Sequence, residues 1–111
     1  MKAASARRDA LGGAEVTGEN MPEPVVAFVL TPHATFELQR RGLDETIVRQ
    51  VLAAPEQREA LRPGRDVLQS RLEIDGKRYL VRVFVDVDRS PAEVVTVYRT
   101  TKIDKYWRSE S

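Results

Sequence analysis

Cysteine is absent from the 111 residues and histidine occurs once. Without thiols there is no disulfide scaffold, no thiolate zinc site and no cysteine nucleophile, and a single imidazole excludes a two-histidine acid–base pair. The lack of cysteine suits a reducing compartment, so a cytoplasmic location is expected. Long apolar runs are missing too. The longest, Val25 to Leu30, has six residues, against roughly 20 for a membrane span and about 7–15 for the apolar part of a signal peptide. No membrane partner is expected. Aromatic residues make up 6% of the chain, against 41% hydrophobic residues in all, which points to an aliphatic core. There is no glycine-rich phosphate loop, HExxH helix or GxSxG elbow, so nucleotide hydrolases, zincins and serine hydrolases have no support, and neither a metal nor another cofactor is expected. A chain this short suits one compact domain.

Net charge is also nearly absent, because 18 Lys and Arg residues stand against 17 Asp and Glu, leaving +1. The excess of cations lies at the end, where Arg99, Lys102, Lys105 and Arg108 face Asp104 and Glu110. Such a patch meets a polyanion or serves equally well as a solvated tail.

Residues 1–24 mix Ala, Gly, Ser and Arg without apolar periodicity and read as a disordered leader. The folded domain is expected over 25–111. Val25 to Leu30, between Pro24 and Pro32, suits a buried strand. Thr31-Pro32 then opens a helix, with a hydroxyl cap followed by proline at the first helical position, and Gly42 closes it. Asp44 caps a second helix whose apolar stripe is Ile47, Val48, Val51 and Leu52. Two helices joined by so short a link read as a helical hairpin. After a weaker strand near Glu56 to Leu61, Val67–Ile74 and Lys77–Val87 flank Asp75-Gly76, the signature of a tight type I′ hairpin. Placing Ile74 opposite Lys77 pairs Leu72 with Tyr79, Ser70 with Val81 and Leu68 with Val83 on the core side. The other side then pairs Glu73 with Arg78, Arg71 with Leu80, Gln69 with Arg82 and Val67 with Phe84. Another strand, Glu93 to Arg99, follows. The expected fold is α+β, with an N-terminal helical hairpin packed on one face of a three- to four-stranded antiparallel sheet, leaving a face rich in arginine free for a ligand.

His33 falls in the first turn of the first helix, where the dipole favours a neutral imidazole able to accept a proton and free N–H groups can hold a phosphate oxygen. RNA cleavage by the 2′-hydroxyl needs such a base, cations for the phosphorane and an acid for the leaving oxygen. A histidine near a helix start also serves simply as a cap or packing residue. Arg41 lies a little over two turns from His33 on a broadly similar face. Arg71, Arg78 and Arg82 suit phosphate on the sheet, or solubilise it. The run Tyr98-Arg99-Thr100-Thr101-Lys102-Ile103-Asp104-Lys105-Tyr106-Trp107 interleaves cations with rings, as a nucleic-acid surface does, although Ile103, Tyr106 and Trp107 also have the spacing of a core-closing helical turn.

Thr31-Pro32-His33-Ala34, Arg41-Gly42-Leu43-Asp44-Glu45, the Asp75-Gly76 turn and Val95-Thr96-Val97-Tyr98-Arg99, in this order, resemble the bacterial domain of unknown function 4258 family, over about residues 28–107. That family looks like a relative of the BrnT and RelE/ParE-type toxins. The resemblance implies a RelE/BrnT-like fold and a ribonuclease-like toxin domain that is silenced by an antitoxin protein, with His33, Arg41 and the Tyr98-Arg99 strand end at recurring positions. The chain departs from the family pattern at Glu37, where a basic residue often stands. The expected activity is therefore metal-independent endoribonuclease cleavage of RNA, with ribosome-associated messenger RNA as the implied substrate. His33 would act as general base, Arg82 and Arg99 would stabilise the phosphorane, and Lys102 or Tyr106 would assist the leaving group. Arg41, Arg71, Arg78, Tyr98 and Lys105 would bind RNA. The alternative is a non-catalytic domain that binds a protein partner or RNA.

Overall fold

A computed structural model describes residues 22–109. Residues 1–21 of the expected leader lie outside the described residues; its last positions have no regular secondary structure, and the Glu23 carbonyl accepts from Arg58 Nη1 at 2.8 Å.

The elements are β1 (Phe28–Leu30), α1 (Pro32–Arg40), α2 (Glu45–Ala53), β2 (Gln57–Arg62), β3 (Arg65–Ile74), β4 (Lys77–Asp86), β5 (Ala92–Thr100) and the single turn α3 (Ile103–Tyr106). The five strands form one sheet in the order β1-β5-β4-β3-β2. This corrects the expected three- to four-stranded antiparallel sheet: β1 joins the far end of the chain, parallel to β5, with Phe28 opposite Ala92 and Leu30 opposite Val94.

Nor do the helices form a hairpin. Their caps are those the sequence specifies, since the Thr31 hydroxyl accepts from the Ala34 N–H at 3.1 Å and Asp44 accepts from the Thr46 N–H at 3.2 Å. However, α1 packs over β5 and β1, and α2 over β3 and β4, instead of on each other. The physical reason is the sheet, which offers each apolar stripe a larger aliphatic surface than a second short helix does. Ala34, Leu38, Val48, Val51 and Leu52 bury against Leu68, Val81, Val83, Val85, Val94 and Val97.

The central hairpin has the expected register, from Ile74 opposite Lys77 through Val67 opposite Phe84. Asp75 and Gly76 both have positive φ, 53° and 81°, as a type I′ turn requires. In β5, Phe84 pairs with Thr96 but Val85 with Val94, so Val95 is an extra residue. This bulge lets Val94 and Val97 both face the helices.

The opposite sheet face is not free. The segment after β5 crosses it as a strap: the Tyr106 carbonyl accepts from Gln69 at 3.2 Å, the Arg108 carbonyl accepts from Gln57 at 2.6 Å, and Trp107 lies against Arg71. Val67 and Leu80, which point to this side by alternation, are buried outside the helix-facing core.

Candidate functional site

Gln69, Arg82 and Tyr98 stand in line across β3, β4 and β5, paired in register, and alternation points all three away from the helices. The Arg82 Nε donates to Gln69 Oε1 at 2.8 Å, and its Nη1 donates to the Tyr98 hydroxyl at 2.7 Å. The Tyr106 ring closes over the guanidinium, with Cζ 4.4 Å from the ring centroid, while Phe84 and Tyr98 lie at 5.4 and 5.8 Å.

Arg82 is 9% exposed. Among the described residues no carboxylate forms an ion pair with it, and its Nη2 has no hydrogen-bond acceptor. A buried charge is ordinarily paired, because leaving water costs several kcal/mol per ion. Here two neutral oxygens and the faces of aromatic rings hold the cation instead, and no carboxylate among the described residues compensates its charge.

The amides supporting it have only one consistent orientation. Gln69 gives its oxygen to Arg82, so its nitrogen donates to Gln57 Oε1 at 2.8 Å and to the Tyr106 carbonyl. Gln57 in turn accepts from the Arg108 N–H at 3.0 Å and donates to the Arg108 carbonyl. The strap and the guanidinium are thus joined by one directional chain of buried amides.

Tyr106 meets Tyr98 edge-on, with ring centroids 6.2 Å apart. Its phenol is held below the usual 10.0, first by the donating Tyr98 hydroxyl; burial opposes this, and Lys105 and then Arg82 reinforce it. Lys105 Nζ lies 5.3 Å from the Tyr106 ring. Arg41 approaches from the side: β1 borders β5 only at residues 92–94, and beyond them the Arg41 guanidinium reaches to 5.9 Å from the Tyr98 ring. Glu37, buried on α1, orients it by accepting from Arg41 Nε at 2.8 Å and from Arg40 Nη2 at 3.0 Å on the same oxygen. The Arg40 hydrogen bond is the first cause that lowers the Glu37 carboxyl below 4.5; burial opposes it and Arg41 adds to it.

The remaining expected site residues lie apart. Arg99 pairs with Val81 and therefore points to the helix-bearing face, where its guanidinium lies 4.7 Å from the Tyr79 ring. Arg82 and Arg99, expected to share one phosphorane, occupy opposite faces, because the β4–β5 register sets Tyr98 rather than Arg99 opposite Arg82. His33 is exposed in the first turn of α1, one turn before Glu37, and its ring makes no hydrogen bond to another described residue. Lys102 is exposed at the start of α3, its N–H donating to the Thr100 hydroxyl. Arg71 is fixed by Glu56, at 3.1 Å to each carboxylate oxygen, and stacks on Trp107 at 3.9 Å, so it braces the strap. Arg78 is exposed opposite Glu73. The structure therefore brings together Arg41, Arg82, Tyr98, Lys105 and Tyr106, and leaves His33, Arg99 and Lys102 outside the cluster.

Sequence reasoning missed Gln57, Gln69 and the orienting role of Glu37. One signal was available: the hairpin register sets the Gln69 amide directly opposite Arg82. Among the described residues, no group of three or more His, Cys, Asp or Glu side chains could hold a metal ion, and no helix is long and apolar enough to cross a membrane.

A family model described as a domain of unknown function, DUF4258, matches residues 30–99, a span from the end of β1 to Arg99 that includes Arg41, Arg82 and Tyr98 and stops short of the strap. No curated protein and no solved structure matches the chain.

Proposed function

Since the chain belongs to the domain of unknown function 4258 family, a membership that names no activity, we propose from the site itself that it is an RNA-binding domain gripping the phosphodiester backbone at Arg82. The observation that carries this reading is the buried guanidinium, which among the described residues has no carboxylate partner and no acceptor for its Nη2. A phosphate oxygen supplies the missing charge in a charge-assisted hydrogen bond, which is about twice as strong as a neutral one. Arg41 and Lys105 flank the position and add cationic charge for further phosphates, with the half-buried rings of Tyr98 and Tyr106 beside them. The test is fluorescence polarisation of labelled single-stranded RNA across a salt series. Arg82→Met should weaken binding by more than about tenfold and flatten the salt dependence. Equal affinity of variant and parent would sink the reading.

Endoribonuclease action is the second reading, and one observation favours it: the lowered Tyr106 phenol lies against Arg82, so a proton-transfer group and a cation suited to a phosphorane adjoin. In this reading Tyr106 takes the proton-transfer role, with His33 and Arg99 outside the reacting cluster. Incubation with RNA in EDTA tests it. Products ending in a cyclic phosphate that Tyr106→Phe abolishes and His33→Ala does not are expected; intact RNA would leave binding alone.

A further inference from the structure

On the helix-bearing face, away from Arg82, the end of β1 and the link between the helices enclose a groove of about 490 Å³. Its floor is apolar, made by Leu30, Leu38 and Leu43, with Thr35 on the rim and Asp44 and Glu45 at one end. Two further observations bear on what it takes. First, the lining holds two carboxylates and no cation, although the chain as a whole is slightly positive. Asp44 uses one oxygen to cap α2, and Glu45 pairs with Arg49, which lies outside the lining. A polyanion is repelled here, whereas a cationic ligand is attracted. Second, Phe36 on α1, the residue after Thr35, is left 58% exposed.

Among the described residues no strand pairs with the outer side of the adjoining sheet edge, β1. Ala27 and Thr31 direct main-chain bonds to β5, so by alternation the N–H and C=O groups of Phe28 and Leu30 face outward. The opposite edge, β2, is guarded by Arg58, Glu59 and Arg62, by an irregularity between Ala60 and Arg62, and by the strap. Charged residues and bulges of this kind prevent edge pairing. Among the described residues, one edge is guarded and the other is not.

We propose that the groove docks a protein partner through a cationic amphipathic segment, with an apolar side chain seated on Leu30, Leu38 and Leu43 and a lysine or arginine meeting Asp44 and Glu45. This goes beyond RNA binding and uses the opposite face, so both surfaces can be occupied together.

The test uses the full chain and two synthetic amphipathic peptides that share one leucine stripe, one rich in lysine and the other in glutamate. Binding is read from backbone amide chemical shifts. The lysine-rich peptide should move the signals of Leu30, Leu38 and Leu43 at saturation, and the glutamate-rich one should not. Thr35→Arg places a bulky cation on the exposed rim and should weaken the lysine-rich peptide by more than about tenfold without changing the thermal midpoint. Equal binding of the two peptides, shifts confined to the Arg82 face, or indifference to Thr35→Arg would overturn the proposal. So would a dimer of the free chain in sedimentation that Thr35→Arg dissolves, since the groove would then hold a second copy. No RNA enters the measurement, so its failure is separate from failure of the RNA-binding reading.

Discussion

Against α1 and α2, the sheet presents Leu68, Val81, Val83 and Val97; against the strap, it presents Gln69, Arg82, Arg71 and Tyr98. Both faces are largely excluded from solvent, yet by different forces. The helix side gains stability in proportion to apolar area, at about 25 cal/mol per Å², and tolerates small shifts. The strap side relies on hydrogen bonds whose net worth is only about 0.5–1.5 kcal/mol each but whose directions admit one arrangement. The first face sets how stable the domain is; the second holds one guanidinium in place with no carboxylate among the described residues to neutralise it.

Truncation in the helix-side core should give the largest effect on stability. Leu52→Ala, at a fully buried position, should cost about 2–5 kcal/mol in urea unfolding while leaving RNA affinity per folded molecule unchanged. Arg82→Met should do the reverse, changing stability by less than about 1.5 kcal/mol because an apolar side chain of similar length replaces a costly buried charge. If Arg82→Met destabilises as much as Leu52→Ala, the strap side is a second core and the contrast fails.

Trp107→Ala should fall between them on stability, at about 1–2 kcal/mol, from the lost stacking on Arg71 and uncovered far-face surface. Proteolysis of the strap should become faster, with the helices still protected in amide exchange.

The smallest effect is expected from acid. Hydrogen bonds from Arg65 lower the Asp86 carboxyl below 3.8; burial pushes the Glu56 carboxyl up, but its bonds from Arg71 outweigh this and leave it below 4.5. Groups with lowered folded-state values contribute stability that is fully present above 4.5 and is lost as pH falls through those lowered values. Asp86→Asn should therefore flatten the acid limb of a urea-midpoint profile, and an unchanged limb would show that these ion pairs lie outside the balance.

What could be read in advance follows from how local each cause is. The β3–β4 register was fully legible, because Asp75-Gly76 admits a two-residue turn and alternation then assigns every side chain to a face. The helix starts were legible from Thr31-Pro32 and Asp44 for the same reason. The partner of β1 was not, since three residues carry no mark of a strand more than half the chain away. The helical hairpin failed because a short link reports that two helices are neighbours in sequence without saying what their stripes cover. At the site, Arg82 was found through the hairpin register. Arg99 was placed with it wrongly, because the loop at Asp88–Pro91 does not reveal whether Tyr98 or Arg99 will stand opposite Arg82. Gln57 and Gln69 carried no assigned role in the site, although Gln69 was paired with Arg82, because an amide gains a role only from its neighbours.

The parallel pairing of β1 with β5 also bears on how the chain is made. Phe28 leaves the ribosome long before Ala92, its eventual neighbour, and at about 5–20 residues per second that interval lasts several seconds. Throughout it Val26, Val29 and Phe28 have no sheet to join, so the nascent segment depends on its brevity and its flanking prolines to avoid pairing with another growing chain.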